Sequence, residues 1–165
     1  MTIANSQNLG FLPKLVMAVA VLLIAAGLFW HGLTIEALHR AWFDLAERPG
    51  GPMTFRFILQ PSMAAIAAIR DGIVDGRTGR SPYFWTVVRN RKERVARLRE
   101  GLNATARIIL LGLVMDVIYQ FIVLKAFYPI EALIIAIALA FVPYLLIRGP
   151  AARFARRSKA HASRK

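Results

Sequence analysis

An all-α integral membrane protein is the fold class this sequence predicts: three transmembrane helices, as one N-terminal span plus a C-terminal helical hairpin, with amphipathic interfacial helices between them. Three observations predict it. First, the 165-residue chain is 57% hydrophobic with a mean hydropathy of +0.50, more apolar surface than one soluble core of this size buries. Second, Ile108–Leu124 and Ala132–Ile147 are apolar runs of 17 and 16 residues around a short turn, Lys125 to Glu131. With their uncharged flanks both approach the roughly 20 residues that cross a hydrocarbon core of about 30 Å. Third, the basic residues are unevenly spread, thirteen Lys/Arg in 36–107 and seven in 148–165, with only Lys14 and Lys125 elsewhere.

Residues 1–14 are polar and carry one charge, Lys14. Leu15–Ile35 then runs 21 residues without a charged side chain and ends in Phe29-Trp30-His31-Gly32. This is the first transmembrane helix, 15–35. A cleaved signal peptide would need a basic start and small residues at the cut, and this segment has neither.

Within 36–107, Ile35, Leu38, Trp42 and Leu45 recur at helical spacing, which predicts a short amphipathic helix along the interface. Arg48-Pro-Gly-Gly-Pro52 ends it. Pro61 suits the first turn of a further helix, along which Met63, Ile66, Ile69 and Ile73 form an apolar stripe. Its apolar centre, Ile58–Ile69, counts only 12 residues, too few to span, so 58–74 is read as interfacial or bundle-packed, with a re-entrant helix as the alternative. After the turn Gly76–Pro82, Tyr83 to Glu100 reads as one basic amphipathic helix. Arg89, Arg91, Lys92, Arg94, Arg97 and Arg99 are its candidate lipid-headgroup contacts, and Tyr83-Phe84-Trp85 its interface anchor.

The second and third spans, 108–125 and 127–147, carry the most specific pattern. Gly112, Asp116 and Gln120 recur every four residues with Tyr119 beside them, and Ala132, Ala136 and Ala140 recur at the same interval. In an antiparallel hairpin turning near residue 126, facing residues have numbers totalling about 252, which sets Gly112 against Ala140, Asp116 against Ala136 and Gln120 against Ala132. Small residues let transmembrane backbones approach closely. The expectation is a helix-packing seam of Gly112, Ala132, Ala136 and Ala140 around an intramembrane polar site, Asp116, Tyr119 and Gln120. A charge at that depth costs about 2.5 kcal/mol or more and must be neutralised or partnered. Asp116 is therefore either part of a proton or ion relay or a hydrogen-bonding element of the seam. On the seam reading, Asp116→Asn leaves stability nearly intact.

Three spans with this charge distribution place 36–107 and the tail 148–165 in the cytoplasm and the N-terminus and hairpin turn outside. The chain has no cysteine, and no metal-ligand spacing, phosphate loop, nucleophile elbow or acid/base pair occurs. No enzyme activity, cofactor or metal is expected. Asn103-Ala-Thr105 fits a glycosylation pattern but falls on the cytoplasmic side.

The stretch Phe55-Arg-Phe-Ile-Leu-Gln-Pro-Ser-Met-Ala-Ala-Ile-Ala-Ala-Ile-Arg-Asp-Gly-Ile73, with Val142-Pro-Tyr-Leu-Leu-Ile-Arg-Gly-Pro150, resembles small inner-membrane proteins of Gram-negative bacteria, over most of 53–157. The resemblance implies a bacterial source and an inner-membrane address, and carries no activity or catalytic residues. The expected function is a non-enzymatic scaffold or accessory subunit whose basic cytoplasmic platform binds anionic lipid or a protein partner, as a homo-oligomer or within a larger membrane complex. The alternative is a small oligomeric transporter or ion- or proton-conducting subunit using Asp116. Nucleic acid is not an expected partner, because lipid attraction and topology account for the basic charge.

Overall fold

The computed structural model describes residues 9–31, positions 35, 39 and 43, and residues 54–162, with side chains through Ser158. Those residues form helices and no strand. Five α-helices follow in order: α1 (Phe11–His31), α2 (Arg56–Arg77), α3 (Tyr83–Arg89), α4 (Arg91–Tyr119) and α5 (Pro129–Ala162). Four of the helical segments are long and apolar enough to cross a membrane, namely α1, α2, α4 with its π-turn, and α5. The protein is all-α with four candidate spans, where three were expected from the sequence. The expected amphipathic helix at 34–48 lies outside the described residues, apart from the helical positions Ile35, His39 and Phe43.

The additional candidate is α2. The apolar run from Ile58 to Ile69 ends at polar groups on either side, but the helix continues through them for 22 residues, about 33 Å at 1.5 Å each. Its flanking Arg56 and Asp75 are buried in ion pairs, so they belong inside the bundle. Pro61 does not open the helix. It falls in the second turn, where its missing N–H forfeits the bond to the Phe57 carbonyl. The buried face of α2 is Arg56, Gln60, Ala64, Ala68, Gly72 and Gly76, with Asp75, one stripe at intervals of four.

That stripe lies along α5, the helix against which α2 packs most extensively. A Cβ on Gly72 would meet the Arg148 carbonyl oxygen at 2.6 Å, and one on Gly76 the Ala152 carbonyl oxygen at 2.5 Å. The two helices run parallel with an offset of 76 residues. The same offset brings Ala64 level with Ala140 and Gln60 level with Ala136, all fully or almost fully buried.

The predicted single helix from Tyr83 to Glu100 is two. Asn90 leaves helical geometry at φ −99°, ψ 96°, and its side-chain oxygen accepts from the backbone N–H of Lys92 at 3.1 Å and of Glu93 at 3.4 Å. An N-cap of this kind starts α4 afresh. From there α4 runs unbroken from the basic segment through the expected second span. It finishes in a π-turn, Gln120–Leu124, closed by Lys125 in the left-handed conformation at φ 51°. Pro129 then occupies the first position of α5, where proline's fixed φ suits a helix start.

α1 touches the bundle along a narrow line, Pro13, Val16 and Gly27, and exposes Val21, Leu22, Phe29 and Trp30. A helix apolar all round with one packed stripe suits a lipid environment. Its first turn lies beside α4, where the Gly10 N–H donates to Asn103 Oδ1 at 3.2 Å. At its other end Gly27 packs on Ile130 and Trp30 meets Phe127 edge-on at 6.4 Å. The start of α1 is therefore at the same end of the bundle as the start of α4 and the later part of α5.

Candidate functional site

The bundle holds two buried polar nodes, one at each end. At the hairpin end, Arg56 Nη1 lies 2.7 Å from Asp116 Oδ1, with side-chain exposures of 2% and 0%. Gln120 Nε2 donates to Asp116 Oδ2 at 2.7 Å and to the Tyr128 carbonyl at 3.2 Å, while Gln120 Oε1 accepts the Tyr128 N–H at 2.7 Å. Gln120 thus ties the intramembrane carboxylate to the first turn of α5, and the π-turn sets it at the entrance to the hairpin loop. Gln60 fills the space over Gly112 and donates to the Ile108 carbonyl at 3.2 Å. Arg56 Nε, Arg56 Nη2 and Gln60 Oε1 are buried without a hydrogen-bond partner.

At the other end Arg148 of α5 is the hub. Its Nε donates to Asp75 at 2.7 Å, Nη2 to Glu100 at 3.1 Å and Nη1 to the Tyr144 hydroxyl at 2.6 Å. The Tyr144 hydroxyl in turn donates to Asp71 Oδ2, also at 2.6 Å. The Arg148 guanidinium lies over the Tyr83 ring, 4.2 Å from its centre. Arg97 joins Asp75 at 3.5 Å and Glu100 at 3.1 Å. Arg80, half exposed, bridges the same two carboxylates from the α2–α3 turn. Three carboxylates and three guanidinium groups balance. A cavity of about 400 Å³ opens beside them, lined by Asp71, Asp75, Arg80, Glu100, Asn103 and Arg148 among others. Tyr83 donates to the Arg97 carbonyl at 2.7 Å, and burial pushes its phenol up to about 12.

Each expected site residue has a definite place. Asp116, Gln120 and Tyr119 are buried together, but Asp116 and Gly112 look toward α2, against Arg56 and Gln60. Ala132, Ala136 and Ala140 are fully buried on the helix that α2 follows in parallel. Of the expected headgroup contacts, Arg91, Lys92 and Arg99 are exposed. Arg89 is exposed over the Trp85 ring at 4.7 Å. Arg94 turns back on α3, donating to the Val87 and Val88 carbonyls at 2.7 and 2.6 Å. Arg97 is 5% exposed and belongs to the Arg148 node, because helical spacing turns it away from Arg91 and Lys92 and toward Asp75.

Sequence reading missed Arg56, Gln60, Asp75, Glu100, Tyr144 and Arg148 as partners. One signal was present: the four-residue interval of Gln60, Ala64, Ala68, Gly72 and Gly76, the same kind of pattern that marked Gly112 and Ala132–Ala140. Among the described residues no group of three or more His, Cys, Asp or Glu could hold a metal ion. Compared with known proteins, the chain matches no family model, no curated protein and no solved structure.

Proposed function

We propose that this chain is a non-enzymatic scaffold or accessory subunit of a bacterial inner membrane, a four-span bundle that presents a basic platform to anionic lipid on the cytoplasmic side. The observation that carries the reading is the surface of α3 and the first turns of α4. Exposed Arg89, Arg91, Lys92 and Arg99 stand among exposed Phe84, Trp85, Val88, Val95 and Leu98. Apolar side chains enter the headgroup boundary while arginines meet its negative charge, each basic residue contributing about 1 kcal/mol near the surface. The polar residues inside the bundle support a structural role, since Asp75, Glu100, Asp116, Arg97 and Arg148 are engaged with one another or with neighbours in the chain.

With four spans both termini share one side, which replaces the outer N-terminus expected from three. The Gly10–Asn103 contact supports this arrangement. Eighteen Lys/Arg then fall on the side of the platform, and only Arg40, Arg48, Arg56 and Lys125 on the other. That asymmetry favours a cytoplasmic platform.

Trypsin treatment of the full chain in liposomes tests the platform. Cleavage between Arg89 and Arg99 should be slowed in phosphatidylglycerol liposomes, and salt should restore it as screening sets in. Equal protection in phosphatidylcholine would defeat the electrostatic reading.

One observation favours a second reading, an oligomeric proton- or ion-conducting subunit. Arg56 Nε, Arg56 Nη2 and Gln60 Oε1 are buried beside Asp116 without hydrogen-bond partners, and such atoms suit a passing water or ion. Against it, Ala64, Ala68, Ala106, Ile109, Ala136 and Ala140 fill the bundle between the two nodes. A pH-gradient-driven proton flux present in the unaltered chain and lost in Asp116→Asn, with the helical circular dichroism of the variant retained, would favour this second reading over the first.

A further inference from the structure

Beside the platform, α3 and α5 leave a groove of about 190 Å³, lined by Pro82, Phe84, Trp85, Leu145, Leu146, Gly149, Pro150 and Arg153. All but one of these are apolar. The charge is Arg153, exposed at the groove and without an ion-pair partner among the described residues. Arg89 does not line the groove, but its guanidinium stacks on the lining residue Trp85, 4.7 Å from the ring centre.

The sequence explains why the groove exists. Pro150 would clash with a Cβ on the preceding residue in helical geometry, and glycine at 149 removes that clash, so α5 continues. The same glycine leaves a notch, since a Cβ built there meets nothing within 4 Å. Trp85 and Leu146 face the notch with 45% and 59% of their surface exposed. Pro150 also supplies no N–H to the Leu146 carbonyl.

We infer that this groove is a specific site for one anionic phospholipid, an acyl chain lying over Trp85, Leu146 and Gly149 and its phosphate held by Arg153 with Arg89. The inference rests on the reading of this end of the bundle as lying at headgroup level. Hydrocarbon matches the lining, and a phosphate matches Arg153 at the groove with Arg89 beside Trp85. A zwitterionic lipid offers the same chain with no net charge.

Native mass spectrometry of the delipidated full chain in a mild non-ionic detergent tests it, with phosphatidylglycerol or phosphatidylcholine of identical acyl chains titrated in. One phosphatidylglycerol should be retained per chain, saturably, and phosphatidylcholine more weakly. Leu146→Trp should abolish retention by filling the groove, and Arg153→Gln should weaken it roughly fivefold, the effect of one basic residue at a headgroup. Should Leu146→Trp fail to yield a monodisperse protein, Arg153→Gln at its exposed position decides alone. Equal retention of both lipids by the unaltered chain, or phosphatidylglycerol retention unchanged in Arg153→Gln, overturns the inference. The trypsin experiment separates the two ideas: loss of platform protection with one lipid still retained removes the diffuse platform and leaves the groove.

Discussion

Arg56 and Asp116 meet at 2.7 Å on two antiparallel helices, and their residue numbers total 172. So do those of Gln60 and Gly112, which pack against each other, and of Asp75 and Arg97, paired at 3.5 Å at the opposite end. One register therefore joins α2 to α4 through both polar nodes. Each node neutralises charges that could not otherwise lie in the apolar interior, and each fixes the register that brings the other together.

Breaking the Arg56–Asp116 pair from one side should be costly. Asp116→Asn leaves a buried guanidinium uncompensated, a loss of about 3–5 kcal/mol, where the seam expectation from sequence was near-neutrality. The double replacement Arg56→Met with Asp116→Leu should recover most of that loss, since an apolar pair of similar volume has no charge to desolvate. Thermal unfolding in detergent, followed by circular dichroism, compares the three.

Gly72→Ala should destabilise by about 1–3 kcal/mol, the usual range for overpacking. Its new Cβ would press on the Arg148 backbone oxygen at 2.6 Å, and backbone gives way less readily than a flexible side-chain end. The control Ile66→Ala, at a position 59% exposed, should change the melting temperature far less in the same measurement.

Arg97 and Arg91 should part company although both belong to the basic segment. Arg97→Ala strips Asp75 and Glu100 of a partner inside the bundle and should lower stability by more than 1 kcal/mol. Arg91→Ala at the surface should stay within about 0.5 kcal/mol while reducing the protection from trypsin that anionic liposomes confer. A result with the two exchanged would return Arg97 to the lipid surface.

Tyr83 implies a specific alkaline limit. Its phenol is raised in the folded chain to about 12 by burial, so the folded state holds that proton more tightly than the unfolded one. The stabilisation is complete below about 10, the ordinary tyrosine value, and is lost as pH climbs toward 12. Denaturation midpoints measured across that window should fall for the unaltered protein, and Tyr83→Phe should make the fall shallower.

For the proposed topology, a fluorescent protein fused after Lys165 and one fused before Met1 should both fold and fluoresce in the bacterial cytoplasm. A reporter active only outside the cytoplasm, placed in the 44–53 segment, should be active. Activity of the external reporter at either terminus would overturn the shared side.

Much of the membrane character was legible in one dimension, because hydropathy and length are local quantities. The apolar runs at 15–35, 108–125 and 127–147 and the basic excess of 83–100 and 148–165 need no partner to be read, and neither do the four-residue intervals of Gly112–Gln120 and Ala132–Ala140. What a single chain segment cannot display is which charge another charge will meet. Arg56, Asp71 and Asp75 look like the boundaries of a short interfacial helix until Asp116, Tyr144 and Arg148 arrive from residues 60 to 73 positions away. Arg97 looks like a headgroup contact until α2 supplies Asp75. Asn90 ends one helix and caps the next through its own side chain, a choice that the basic periodicity on both sides conceals. The sequence by itself determined an all-helical, multi-span, basic membrane protein. Only the tertiary structure decided that α2 lies in the bundle and where Asp116 points, because the free energy of a charge in an apolar interior is set by its partner, and the partners here are brought together by the fold.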